Sequence, residues 1–330
     1  MRPSMTAGRP GTGLLYLITS GLLWGTGGLT GSLLSRVAGL SALSVAACRL
    51  TAGGVLIVIF LTVTGWRWPV GRAAWTRIAV IGVLAALYQS CYFIAVALTS
   101  VALATLVTIG TAPVIVLGVY RVTGRRAGRL APVAACLALA GLGLLVGLPS
   151  GFSQTAVLAS GGMAVLSAAG FAAVTLTGAR PVPGLDDRTV TGFGFTLGGL
   201  ILLPLAAALG GLSFRPGLEA AGLLLALGTG PTAVAYTLYF RGLRRVAAST
   251  AALLTLLEPL TAAVLAAFVL GQRLSTTGIA GAATLVAAVI ITVRGAGEAA
   301  PRVRDQLEPD QPEPDPSEPD RPEPDQLARR

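Results

Sequence analysis

The chain has 330 residues, of which 54% are apolar and 12% charged, and its mean hydropathy is +0.77. That charge content is about half the ~25% of an ordinary soluble domain, so a water-soluble globular class is excluded. Every basic residue is arginine and histidine is absent, which rules out a His-based metal site and a His general base.

About ten stretches are long and apolar enough to cross a bilayer, where roughly 20 predominantly apolar residues suffice. In chain order they are 13–34, 42–64, 76–98, 100–120, 130–148, 157–178, 189–211, 218–240, 247–270 and 275–293. Backbone groups in hydrocarbon must pair within their own segment, so these runs are predicted to be helices. The first run continues through Trp24 and Gly25 without a small-residue cleavage site, and does not read as a removed signal peptide. Cys48, Cys91 and Cys136 fall inside the second, third and fifth runs and act as small apolar residues.

The net charge of +10 does not indicate nucleic-acid binding. Residues 1–297 carry 19 Arg against 4 acids, and residues 298–330 carry 5 Arg against 10 acids. An intracellular N-terminus would place fifteen of the first group in cytoplasmic loops or ends and only Arg36, Arg215 and Arg273 outside, with Arg49 within a span. This asymmetry predicts a multi-pass protein of the inner (plasma) membrane with both termini cytoplasmic.

A shift of 147 residues superposes the two halves: Ser20 on Ser167, Trp24 on Phe171, Tyr92-Phe93 on Tyr239-Phe240, and Gly124 on Gly271. Pro113 and Pro259 match at 146. Five spans per half is an odd number, so the halves must run in opposite directions through the membrane. The expected fold class is therefore an all-α integral membrane protein of ten transmembrane helices in two inverted five-helix repeats. The expected domains are 1–148, 149–297 and a Pro-rich acidic cytoplasmic tail over 298–330, which repeats Glu-Pro-Asp and should stay extended and disordered. Inverted repeats are common in secondary transporters, with the site near the midplane where the repeats meet.

The motifs "SGLLWG" (20–25), "ACRL" (47–50), "YFIAVALTSVALATLV" (92–107) and "LTLLEPLTAAVLA" (254–266) go with this repeat. Over residues 13–295 the chain resembles the ten-helix EamA-type branch of the drug/metabolite transporter superfamily. That family often places Glu after spans four and nine in a "GE-R" context, where this sequence has "GRR" (124–126) and "GQR" (271–273). The resemblance implies a proton- or gradient-dependent exporter of amino acids and other small metabolites.

Two ionisable residues sit well inside the spans. Glu258 lies about 11 residues from either end of its helix, and Arg49 about 7 residues, or ~10 Å, below the outer end of its own. A charge at such depth costs at least ~2.5–3.5 kcal/mol, so it faces a cavity or a partner. Either the two form a structural ion pair, or both line a central cavity. In the second arrangement Arg49 would take a substrate carboxylate through its two-pronged guanidinium, and Glu258 an ammonium or a proton.

Thr255, Glu258 and Thr261 share one helix face, and Thr105, Thr108 and Thr111 share another. Their hydroxyls either bond back to their own helices or form two matched polar stripes. Pro113 and Pro259 are candidate hinges, since each removes a backbone bond. Trp24, Tyr92 and Tyr239 are the preferred cavity aromatics, with Tyr88, Gln89, Phe171 and Tyr236 as further wall residues. The candidate site thus comprises Glu258, Arg49, Thr255, Thr108, Thr111, Tyr92, Tyr239 and Trp24.

One in-span carboxylate and no histidine leave little from which to build an intramembrane enzyme. "GTGGLTG" (25–31) lies within a span and lacks the strand context of a nucleotide loop. No cofactor and no metal are expected. The expected partners are a small-molecule substrate and membrane lipid, not nucleic acid, with a homodimer left open. Alternating access by a metabolite exporter is the leading reading. An uptake permease or facilitator of the same fold, or a non-transporting structural protein, are the alternatives.

Overall fold

The computed structural model describes residues 10–66, 68–125, 127–147, 151–211, 213–269, 271 and 275–305, and among these it contains helices and no strands. Ten helical elements follow one another: α1 (Pro10–Ala38), α2 (Ala42–Val63), α3 (Arg72–Leu98), α4 (Val101–Val122), α5 (Ala131–Val146), α6 (Gln154–Gly178), α7 (Asp187–Gly210), α8 (Leu218–Leu243), α9 (Ala248–Val269) and α10 (Thr276–Asp305). Eight are long and apolar enough to span a membrane, and α5 is apolar but 16 residues long. α1 has 29 residues, its apolar run diluted by Gly, Thr and Ser.

The ends are set by local chemistry. Ser41, Ser100 and Ser153 cap α2, α4 and α6, each side chain accepting from a backbone N–H three residues on. Gly39 after α1 and Gly211 after α7 hold positive φ of 70° and 69°, so the chain can turn sharply where two spans leave the membrane. α10 runs on to Asp305, past Glu298 where the sequence predicts an extended tail. The reason is local composition: the Glu-Pro-Asp repeats begin only at Glu308, and the alanines and arginines before them favour helix. Those repeats, Arg67, Arg126 and the "QR" of the 271–273 motif lie outside the described residues.

Two helices depart from regularity. α8 contains a π-turn segment, Gly228–Val234, built around Pro231. α9 is interrupted at Thr255–Leu256, between Ala248–Leu254 and Leu257–Val269. Pro259 lacks the N–H that would bond to Thr255, and the Glu258 N–H bonds to the Thr255 carbonyl instead, at 2.9 Å. Pro113, its counterpart, sits inside an unbroken α4.

Glycine contacts give the relative directions. A Cβ on Gly199 of α7 would lie 2.6 Å from the Thr51 nitrogen of α2, and one on Gly54 of α2 would lie 2.6 Å from Thr196 Oγ1 of α7. Advancing along α2 thus means retreating along α7, so the two run antiparallel with backbones nearly touching. Gly141 and Gly281 bring α5 and α10 together in the same sense. Gly21 meets Leu257 and Gly25 meets Thr261, so α1 and α9 are parallel.

The helix contacts come in matched sets. α3 packs on α6 as α8 packs on α1, α4 on α6 as α9 on α1, and α3 on α7 as α8 on α2. Exchanging the halves leaves the set unchanged, and the repeat-related α2 and α7 run oppositely. Two inverted five-helix repeats account for both facts.

The start of α1 and the α8–α9 junction share one face of the molecule, where Gly13 abuts Arg245 and Val246 and the Arg245 guanidinium lies 5.1 Å over the Tyr16 ring. The far end of α10 reaches the same face, with Gly295 against Leu130. The opposite face carries the α1–α2 and α7–α8 connections, joined by the Arg215 N–H to the Ala38 carbonyl at 2.9 Å.

Candidate functional site

Between the repeats lies a cavity of about 340 Å³. Its walls come from the later part of α1, the start of α2, the end of α3, the start of α4, and the middles of α6, α8 and α9. It therefore extends from midspan toward the face bearing Arg36 and Arg215, where Ser32, Ala42 and Val101 are exposed. The walls are mainly apolar, with Val45, Val96, Ile109, Phe171 and Leu227 among them.

Arg49 and Glu258 both line it. The ion pairs among the described residues are Arg188–Asp186 and Arg244–Asp187, so Arg49 and Glu258 do not form a salt bridge with each other. The buried Nε of Arg49 has no hydrogen-bond partner. Glu258 occupies the first turn of the resumed α9 segment, where the helix dipole favours negative charge.

Trp24, Tyr92, Thr108 and Thr255 also line the cavity. Tyr92 shares a hydrogen bond with Thr105 at 2.8 Å. Thr108 Oγ1 donates across to the Ala164 carbonyl at 3.2 Å, whereas Thr255 and Thr261 bond back to their own helix at Ala252 and Leu257. The matched stripe is thus only partly free for ligand.

Thr111 does not reach the cavity. At about 100° per residue, Thr108, Ala112 and Ile109 share one arc, and Thr111 lies about 60° outside it. Tyr239 is also absent from the walls. It is 1% exposed, covered by the Trp24 ring at 5.0 Å, and its hydroxyl is bonded to Thr175 at 2.8 Å. Inversion is the cause: repeat equivalents lie at mirrored depths, and the cavity opens on the side of Tyr92 only.

Below the cavity an aromatic floor closes the molecule. Trp24 lies 4.7 Å from Tyr236, Phe171 lies 5.8 Å from Tyr239, and the Tyr88 and Tyr236 hydroxyls are hydrogen-bonded to each other. Beneath them, Arg77 donates to the Thr177 and Arg180 carbonyls, tying α3 to the end of α6. Arg244 ties α8 to α7 through Asp187 at 2.5 Å and the Leu185 carbonyl at 3.4 Å.

Two features were not singled out by the sequence reading. One is the π-turn of α8, between the cavity residues Leu227 and Tyr236, for which "GTGP" (228–231) within an apolar run is the available signal. The other is the Asp187–Arg244 pair, whose members are far apart in sequence.

The model for the EamA-like transporter family matches residues 11–147 and again 160–294. A Bacillus subtilis (strain 168) protein named "Uncharacterized transporter YwfM" is 30% identical, with 89% of this chain and 96% of that protein covered. A Salmonella typhimurium (strain LT2) protein named "Uncharacterized inner membrane transporter YicL" is 26% identical, over 84% of this chain and 94% of its own. A solved crystal structure at 23% identity shares the fold, with a TM-score of 0.72 over 89% of this chain and 99% of its own. With both halves matched and the fold shared, the chain belongs to the EamA-like transporter family.

Proposed function

We propose that this transporter exports small metabolites, foremost amino acids and related zwitterions, by alternating access across the inner membrane, with Glu258 coupling export to protons. The observation that carries the reading is a single cavity between inverted repeats that holds Arg49 and Glu258 without an ion pair between them. A guanidinium suits a carboxylate because it donates two parallel hydrogen bonds. A carboxylate at midspan suits an ammonium or a proton, and one group cannot hold both at once. Taking up a proton would release the substrate ammonium, and losing it would restore the site. The arginine-rich loops favour placing the face with both chain ends in the cytoplasm, so that the cavity faces outward.

Efflux from proteoliposomes loaded with labelled amino acids, with and without a pH gradient, tests this. Wild-type protein should show gradient-dependent efflux, and Glu258→Gln should lose the pH dependence while unfolding at an unchanged temperature. Undiminished pH dependence in Glu258→Gln removes the proton role. Absence of efflux by folded wild-type protein removes the amino acid reading.

A further inference from the structure

Three residues that line the cavity each carry a buried side-chain nitrogen without a hydrogen-bond partner: Arg49 Nε, Gln89 Nε2 and Trp24 Nε1. They come from α2, α3 and α1, three helices of the first half. Gln89 is 2% exposed and Trp24 6%, so water does not readily satisfy either. An unpaired buried polar group is costly, and most such groups in folded proteins find a partner. Here all three belong to residues lining one cavity. An arginine Nε and an indole nitrogen can only donate, and the buried unpaired atom of Gln89 is its amide nitrogen, also a donor.

From these donors we infer a carboxylate-binding pole formed by Arg49, Gln89 and Trp24, in which Gln89 and Trp24 select for the carboxylate that Arg49 neutralises. The inference rests on the transporter reading above and specifies its substrate recognition. The three unpaired nitrogens are all donors, so they offer a substrate amine nothing. An ester loses both the charge and the two equivalent oxygens that a fork-shaped donor requires. Glu258 lies in the same cavity and supplies an opposing negative charge. One arginine against one glutamate suits a singly charged carboxylate better than a phosphate dianion. Tyr88, Tyr92 and Tyr236 are the other hydroxyl-bearing aromatics of the walls; Tyr88 and Tyr236 bond each other and Tyr92 bonds Thr105. Gln89 and Trp24, unlike these tyrosines, have side-chain nitrogens with no partner at all.

The chain has four tryptophans, so replacing Trp66, Trp68 and Trp75 by phenylalanine leaves Trp24 as its sole indole. Emission from Trp24 then reports binding without any need for transport. Because the remaining walls are apolar, the probes are L-leucine, 4-methylpentanoate, L-leucine methyl ester and 3-methylbutylamine. Leucine and 4-methylpentanoate should shift the emission saturably and at lower concentration than the ester and the amine, which can engage Glu258 but not the three donors.

Gln89→Leu should weaken 4-methylpentanoate binding about tenfold, as expected for loss of one hydrogen bond to a charged group. Gln89→Asn, which keeps the amide, should weaken it less, and thermal unfolding of both variants separates binding from folding. Equal responses to acid and ester, unchanged affinity in folded Gln89→Leu, or no response to either acid would overturn the inference. The two readings fail separately. Binding of 4-methylpentanoate with no amino acid efflux leaves the pole standing and sinks the zwitterion substrate. Efflux without discrimination against the ester sinks the pole alone.

Discussion

Asp187 and Arg244 form an ion pair whose partners have unequal access to water. The carboxylate side chain is 9% exposed and the guanidinium side chain 27%. Removing the arginine strands a buried charge, whereas removing the aspartate leaves an arginine that can reach solvent. Arg244→Met should therefore cost about 1.5–3 kcal/mol, and Asp187→Asn about 1 kcal/mol or less. Thermal unfolding in detergent compares them, and equal losses would contradict the exposure argument. Legibility at this scale followed charge. Arg49 and Glu258 stood out because an ionisable group in an apolar span is expensive, and both prove to line the cavity. Gln89 carried no such signal: a neutral amide among apolar residues looks ordinary until its NH₂ is seen to lack a partner. Tyr239 is the repeat counterpart of Tyr92 and sits inside its own span, yet nothing in a sequence says which end of a cavity is open.

Helix contacts in a bilayer gain little from the hydrophobic effect, since lipid is as apolar as leucine, so close backbone approach matters more. The α2–α7 crossing depends on it. At Gly199 an added Cβ would meet the Thr51 nitrogen at 2.6 Å and its Cα at 2.9 Å, both backbone atoms that cannot swing aside. Gly199→Ala should destabilise the protein by about 1–3 kcal/mol. The same change at Gly222, which has open space around its Cβ position, should be tolerated. Melting temperatures of the two variants decide it, and an unaffected Gly199→Ala would mean that the crossing is looser than described. The helices themselves were legible because each apolar run must close its own hydrogen bonds. The two prolines show where that legibility stops. Both remove an N–H, yet α9 breaks beside Pro259 and α4 stays continuous through Pro113. Whether a helix yields at a missing bond depends on the neighbours that hold it, which a single sequence does not display.

The whole molecule was readable from one property, duplication with an odd number of spans, and the antiparallel α2–α7 crossing is its physical expression. That crossing has a consequence for motion. A protein made of two copies of one fold, facing opposite ways and shaped differently at a given moment, contains the pattern of its other shape. If the halves trade shapes, each wall residue hands its role to the residue 147 positions on. Tyr92, Phe93, Val96 and Val101 line the open cavity, and Tyr239, Phe240, Leu243 and Ala248 are their counterparts. The first three of these counterparts are now buried around the aromatic floor, and Ala248 is buried beside them. A cysteine at position 92 should react with a water-soluble thiol reagent in the present shape, and one at 239 only after the exchange. Addition of transported substrate should raise labelling at 239 as it lowers labelling at 92; labelling of both together would refute the exchange. Thr189 lies 147 positions after the exposed wall residue Ala42, and its buried hydroxyl lacks a partner in this shape. If the halves do trade shapes, the Thr189 hydroxyl is a polar group that waits unsatisfied in one half of the cycle and is wetted in the other.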